Sequence, residues 1–211
     1  MSIRIQNLKS KINSSFELNI EHLEIEAGEI LGIGGQNGSG KSSLFEAILG
    51  NIAFEGKIDS KETAVVYQEA NVFTHLSVAE NVTLGLDSNK DSVLNEMLSL
   101  FDLKEFEFIK ADSLSGGQTQ RVAIARSLAL DQPTLLLDES FNQIDDITKG
   151  RILTKLRAYL KDKNISCILI CHDFNDLEIF CDSMAILKQG RMVHHSSIES
   201  KADLSKAKEL I

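Results

Sequence analysis

Apolar and polar positions along the chain fall into three patterns, and each predicts a different kind of element. At residues 3–7 and 16–25 they alternate, the period-two signature of half-buried antiparallel strands. Residues 30–33, 134–137 and 165–170 are short apolar runs, as in parallel strands covered on both faces. Elsewhere the apolar positions recur every three or four residues. Residues 44–49 begin such a helix, Val93, Leu94, Met97, Leu98 and Phe101 share one face of another, and residues 122–130 and 147–160 continue the pattern. Ser77-x-x-Glu80 is a capping box for a short helix in the same region. Residues 56–59 and 63–67 read as two further strands, and residues 183–187 and 191–194 as a closing pair around Lys188-Gln189-Gly190. Strands alternating with helices imply an α/β fold with a mainly parallel sheet. An antiparallel β subdomain should precede it, and a helical subdomain should be inserted near its middle.

Chemistry enters where the first apolar strand meets the first helix. Gly34-Gly35-Gln36-Asn37-Gly38-Ser39-Gly40-Lys41-Ser42-Ser43 lies between them, so Gly35-x-x-x-x-Gly40-Lys41-Ser42 has the strand–loop–helix setting of a phosphate-binding loop. Glycines let consecutive N–H groups turn inward, and the following helix adds its positive dipole end. Lys41 should lie along the β- and γ-phosphates, and the Ser42 hydroxyl should ligate Mg²⁺. The same four fixed positions arise by chance in roughly one chain in a hundred of average composition, so the flanking elements matter. The expected architecture is thus a P-loop NTPase core.

Two more segments carry charge or anion-binding character. Leu135-Leu136-Leu137-Asp138-Glu139 is a buried strand ending in two carboxylates, at the strand end where α/β proteins bind ligands. Asp138 is suited to hold Mg²⁺, and Glu139 to polarise a water attacking the γ-phosphate. Ser115-Gly116-Gly117-Gln118 combines a capping box with two glycines, a helix N-terminus open to a bulky anion.

Composition narrows the surroundings. The 211 residues suit one domain: a catalytic core of about residues 1–70 and 133–198, a helical subdomain of about 71–132, and a helical tail at 199–211. With 22 basic against 31 acidic residues, net charge −9, nucleic acid is not an expected partner. No apolar run reaches membrane-spanning length, and the Met-Ser-Ile-Arg-Ile start does not read as a signal peptide. Cys167, Cys171 and Cys181 lack metal-ligand spacing and read as buried thiols of a reducing compartment.

Taken together, the phosphate loop, Gln68, Leu114-Ser115-Gly116-Gly117-Gln118, Asp138-Glu139 and His172 resemble the ABC-type ATPases, the nucleotide-binding subunits of ATP-binding-cassette transporters, from Ile3 to about Ser197. The resemblance implies that Gln68 touches Mg²⁺ and the attacking water, and that His172 contacts the γ-phosphate and orients that water. It implies that Ser115 to Gln118 meet the γ-phosphate held by a second subunit, with Asn142-Gln143-Ile144-Asp145 crossing the dimer interface. It further implies ATP and Mg²⁺ as cofactors, a homodimer, integral-membrane permease partners, a solute-binding protein, and a place on the cytoplasmic face of the membrane.

The segment Gln68 to Val82 is similar to the importer branch, nearest to small thiamine, molybdate or spermidine-type ATPases, with thiamine first because of Leu84-Gly85-Leu86. The chain stops soon after the ATPase core, so the long carboxy-terminal regulatory domain of sugar importers is not expected. Four positions depart from the family pattern. Ile12 stands where an aromatic usually stacks on adenine, with Phe16 as the competing contact; Gln36 replaces Pro or Glu; Ser140 replaces Pro; Gln143 replaces a small or apolar residue. Two other readings compete: a soluble relative acting in nucleic-acid repair or translation, and a small-molecule kinase, which leaves Leu114 to Gln118 unexplained.

Overall fold

Side chains alternate across a strand, so apolar runs buried along their whole length need a cover on each face of their sheet. The computed structural model describes residues 2–210; Met1 and Ile211, the last residue of the expected tail, lie outside the described residues. β3 (Ile30–Gly34), β5 (Thr63–Val66), β6 (Thr134–Asp138), β7 (Ser166–Ile170) and β8 (Ser183–Lys188) are parallel. β1 (Ile3–Lys11), β2 (Glu17–Ile25) and β4 (Glu55–Ser60) are antiparallel. β9 (Arg191–Ser197) returns from β8 through Gln189-Gly190 and meets β2 at the parallel pair Asn19–Arg191. Among the described residues these form one sheet in the order β4-β1-β2-β9-β8-β3-β7-β6-β5.

The two faces carry separate apolar cores. Leu31, Ile33, Leu136, Ile168 and Ile170 pack with Leu44, Phe45 and Ile48 of α1 (Lys41–Ile48) and with the inner residues of β1 and β2. Leu135, Leu137, Cys167 and Leu169 face the other way. Their cover comes from α4 (Gly116–Ala129), α5 (Asp146–Asp162) and α6 (Phe174–Phe180). Register brings the strand ends level: Ile33 and Asp138 both lie opposite Ile170, and Val66 lies opposite Leu137. The three cysteines are free and buried, and burial pushes their thiols up.

Three details differ from the sequence reading. The alternation in β1 and β2 changes phase: buried positions run Ile3, Ile5, then Leu8, Ser10, and on the partner strand Leu18, Ile20, then Leu23, Ile25. Asn7 takes a left-handed backbone there, and the pairing of β1 with β4 shifts by one residue beyond Gln6. A bulge of this kind turns a strand over, so β1 runs on to Lys11. The short α6, capped by the Asp173 side chain, was not expected; seven residues are too few to display helical periodicity. The tail helix α7 (Lys201–Lys208) is not merely a charged appendage: it buries Leu204 and Ala207, and the Lys208 ammonium lies 5.0 Å from the Phe174 ring centre.

Between β5 and β6 stand α2 (Val78–Val82), α3 (Lys90–Leu100) and α4. The capping box at α2 forms as expected: Ser77 N–H donates to Glu80 Oε2 at 2.7 Å, and Glu80 N–H to Ser77 Oγ at 3.2 Å. Asp102, following α3, binds two cations of α5: Arg151 Nε at 2.8 Å and Lys155 Nζ at 2.8 Å. Arg121 of α4 donates to the Phe101 and Asp102 carbonyls. Among the described residues no helix is long and apolar enough to cross a membrane.

Asn81 of α2 is fully buried and holds the loop before that helix. Its Oδ1 accepts from Phe73 N–H at 2.9 Å, and its amide donates to the carbonyls of Phe73, Leu76 and Ser77. Each of those carbonyls also accepts a backbone N–H. Asn81→Ala therefore leaves the Phe73 N–H as the group without a partner and removes the side-chain bonds that tie the loop to α2, a loss of about 1–3 kcal/mol. Urea unfolding should show a lower midpoint at unchanged slope. An unchanged midpoint would mean that the loop is held by other contacts.

Candidate nucleotide-binding site

The level strand ends place four loops side by side. After β3 the chain turns through Gly35 to Gly40 and enters α1 with no side-chain cap. Gly40, the residue before that helix, has φ 108°, a left-handed conformation that a side chain would strain. The uncapped N–H groups of the first turn are therefore available to an anion. Lys41 is buried and folds back over the loop, donating to Gly35 O at 2.8 Å and Gln36 O at 3.0 Å. An ammonium has three donors, so one remains for a ligand. Burial lowers the Lys41 pKa, against the pull of Glu139 and Asp138. Ser39 Oγ is buried at the same loop without a protein partner. An unsatisfied hydroxyl beside uncapped amides fits a bound phosphate.

Asp138, at the end of β6, is buried, and its carboxyl is hydrogen-bonded to Ser42. Burial raises its pKa, with the Glu139 charge adding to the effect and Ser42 and Lys41 opposing it. Ser42 and Gln68 line one cavity of about 550 Å³ with Glu139, Lys41 and Gly40. Hydroxyl, carboxylate and amide oxygens are the hard donors that suit Mg²⁺.

Glu139 occupies a left-handed backbone conformation, φ 48°, rare for a side chain of its size. Its N–H donates to Ile170 O at 3.0 Å, anchoring it to the neighbouring strand. The carboxylate is held on both sides: Oε1 lies 2.7 Å from His172 Nε2, and Oε2 accepts from Asn142 Nδ2 at 3.0 Å. Glu139 and His172, expected separately as base and water-orienting residue, meet directly. Asn142, read from the sequence only as part of an interface loop, is the third member of the cluster.

The same cavity is also lined by Ile12, Asn13 and Phe16. Ile12 is exposed and Phe16 half-buried. The Phe16 ring leans on the phosphate loop, with Cζ 3.1 Å from where a Gly40 Cβ would sit. A second groove of similar volume, about 560 Å³, lies between β2 and β9 and is lined by His22, His194 and His195. It has no uncapped helix start or glycine loop, so it is not the phosphate site.

Ser115 to Gln118 line a different cavity with Arg121, Gln143, Asp145 and Thr148, sharing no residue with the first. The capping box forms: Gln118 N–H donates to Ser115 Oγ at 3.3 Å, and Ser115 N–H to Gln118 Oε1 at 2.7 Å. The serine hydroxyl accepts there and keeps its own hydrogen for an outside partner. The glycines have another use than the openness expected of them. A Cβ on Gly116 would lie 2.3 Å from Gln143 Oε1, and one on Gly117 would lie 2.7 Å from the Gln143 carbonyl. They admit the loop before α5 against the helix start. Asp145 caps α5, accepting from Thr148 N–H at 3.0 Å, a backbone bond that lowers its pKa.

A family profile described as ABC transporter matches residues 18–142, which include the phosphate loop, Gln68, the serine–glycine helix start and Glu139. The chain belongs to the ABC transporter family. It is 34% identical to the probable sulfate/thiosulfate import ATP-binding protein CysA of Chlorella vulgaris, over 96% of this chain and 94% of that protein. To the thiamine import ATP-binding protein ThiQ of Jannaschia sp. it is 31% identical, over 90% of this chain and 91% of that protein. Other sulfate/thiosulfate relatives are longer, and the chain spans 60–65% of their length. Among solved structures it superposes on an ATP-binding cassette determined as a dimer in a post-hydrolysis state with ADP and phosphate. That match has a TM-score of 0.81 at 25% identity, covering 94% of this chain and 99% of the other. The chain is an ABC-type ATPase, and neither the repair or translation alternative nor a kinase is supported.

Ile12 and Phe16 line the same cavity as the phosphate loop. Ile12→Tyr should tighten ATP binding, by about tenfold for each 1.4 kcal/mol gained. Wild type should discriminate weakly between ATP and GTP, because the triphosphate carries most of the contact. Titration of both nucleotides against wild type, Ile12→Tyr and Phe16→Ala checks this. Unchanged affinity in Ile12→Tyr with a severalfold loss in Phe16→Ala would move the adenine to Phe16.

Proposed function

We propose that this chain binds and hydrolyses Mg-ATP at the interface of a homodimer and drives a membrane permease that imports a solute. The observation that carries the reading is the separation within one chain of the phosphate-loop cavity from the Ser115–Gln118 cavity. Two head-to-tail copies would complete each site, and the dimeric cassette with ADP and phosphate is a precedent in a similar fold. The import names of the relatives support direction but not cargo: sulfate/thiosulfate and thiamine importers match at similar identity. In this reading the chain is a single ATPase domain with α2–α4 as its helical subdomain. It sits on the cytoplasmic face of the membrane against permease subunits, and a solute-binding protein delivers the cargo.

The residues divide the chemistry as follows. The amides of Gly38 to Ser43, the Ser39 hydroxyl and the spare donor of Lys41 bind the β- and γ-phosphates. Ser42, Asp138 and Gln68 would hold Mg²⁺, which spreads the charge of the phosphate oxygens when bound. Glu139, fixed by His172 and Asn142, takes a proton from the attacking water, and His172 keeps the carboxylate and water aligned. The partner's Ser115 hydroxyl donates to the γ-phosphate, while Asp145 holds the start of α5 beside it.

Glu139→Gln keeps the shape of the side chain and loses the base. ATP binding should persist while turnover falls by roughly 10²–10⁴-fold, and an ATP-bound dimer should appear on size exclusion. Near wild-type turnover would remove Glu139 from the base role. The shared site has its own test. Lys41→Ala damages the phosphate loop, and Ser115→Arg blocks the contact offered to the other copy. Mixed dimers then hold one intact site and one doubly damaged one, so the mixture should occlude ATP where neither variant does alone. No recovery, with mixed dimers confirmed by mass spectrometry, would argue for a site built within one chain.

A further inference from the structure

β5 ends the sheet, with a neighbour on one side only, and its ladder with β6 stops at the pair Val66–Leu137. Gln68 comes two residues later, where strand pairing no longer fixes the backbone. Three buried or partly buried side chains take over the carbonyls of this stretch. Ser127 Oγ donates to Val65 O at 3.2 Å, Ser140 Oγ to Val66 O at 3.0 Å, and Gln120 Nε2 to Tyr67 O at 3.4 Å. Ser127 and Gln120 belong to α4. Ser140 alone comes from the catalytic strand's own continuation, immediately after Glu139. It is wholly buried, and its hydroxyl also lies 3.2 Å from Asp138 O.

We propose that Ser140 is a positioning residue, which sets the height of Gln68 against Glu139 by tying the β5 end to the β6 end. The inference rests on the hydrolytic reading of Glu139 and Gln68 given above. A proline at this position would stiffen its own backbone but could donate nothing to Val66. Here one hydroxyl spans the two strand ends instead, and its single hydrogen is shared between two carbonyls that solvent cannot reach.

The test is a double-mutant cycle read by single-turnover ATP hydrolysis and by steady-state kinetics. Ser140→Ala should lower the hydrolysis rate about tenfold while KM for ATP stays within about twofold, because no phosphate-loop group is touched. In a Gln68→Ala background the same substitution should cost less than twofold. Ser140→Cys, close in volume but a weak donor, should fall with Ser140→Ala and serves if the alanine variant folds poorly. An equal loss in both backgrounds would overturn the proposal, as would a wild-type rate in Ser140→Ala. A lower rate with a matching rise in KM and a fall in melting temperature would make Ser140 a packing residue only. Wild type and Glu139→Gln are run alongside. If wild type does not hydrolyse ATP, or Glu139→Gln does so normally, the hydrolytic reading fails rather than the role of Ser140.

Discussion

The site depends on the register of parallel strands. Because Ile33 and Asp138 both lie opposite Ile170 and Val66 lies opposite Leu137, the strands end at nearly one level. The phosphate loop, Glu139 and Gln68 therefore leave the sheet side by side, as does His172 after β7. A parallel ladder fixes this alignment through every residue of the strand, and the apolar cores on both faces oppose any slip. A shift of one residue in β6 would reverse Leu135, Leu136 and Leu137 between the two cores and turn Asp138 away from Ser42. The chemistry is thus held by the interior of the sheet, several residues away from the reacting groups.

Preorganisation at the site is local and polar. Glu139 sits in a strained conformation, yet its N–H and both carboxylate oxygens are engaged. Such strain persists when the surroundings over-determine the position, and three anchors do that, Ile170 and His172 at the end of β7 and Asn142 in the turn after β6. Lys41 is similarly held by carbonyls of its own loop. A side chain already restrained loses little rotamer freedom when a ligand arrives.

Much of this was legible in the chain because its signals are local. The phosphate loop, both capping boxes and the carboxylate pair depend on neighbours within a few residues, and each has the local backbone setting read for it: a loop between strand and helix, two capped helix starts and a strand end. What escaped depends on contacts distant in sequence. The phase change at Asn7 needs the β4 pairing to reveal it. Ser140 looked like a mere substitution until Val66, 74 residues earlier, proved to be its partner. Gly116 and Gly117 suggested an open helix start, but the space they leave is filled by Gln143, a residue that appeared only as a departure from family pattern. Asn142 gave no spacing signal, since an asparagine three residues after a glutamate is unremarkable in a turn.

The helices between β5 and β6 touch α5 partly through charge. Asp102 faces Arg151 and Lys155 at 2.8 Å each, and all three side chains keep some contact with solvent. Ion pairs of this exposure weaken as dissolved salt shortens the reach of the field, to about 8 Å at physiological ionic strength and about 3 Å at 1 M. The apolar packing of Met97, Leu98 and Phe101 does not weaken in the same way. The attachment of these helices therefore has one component set by packing and one set by the electrolyte, and the second makes their freedom to move a property of the medium as well as of the fold.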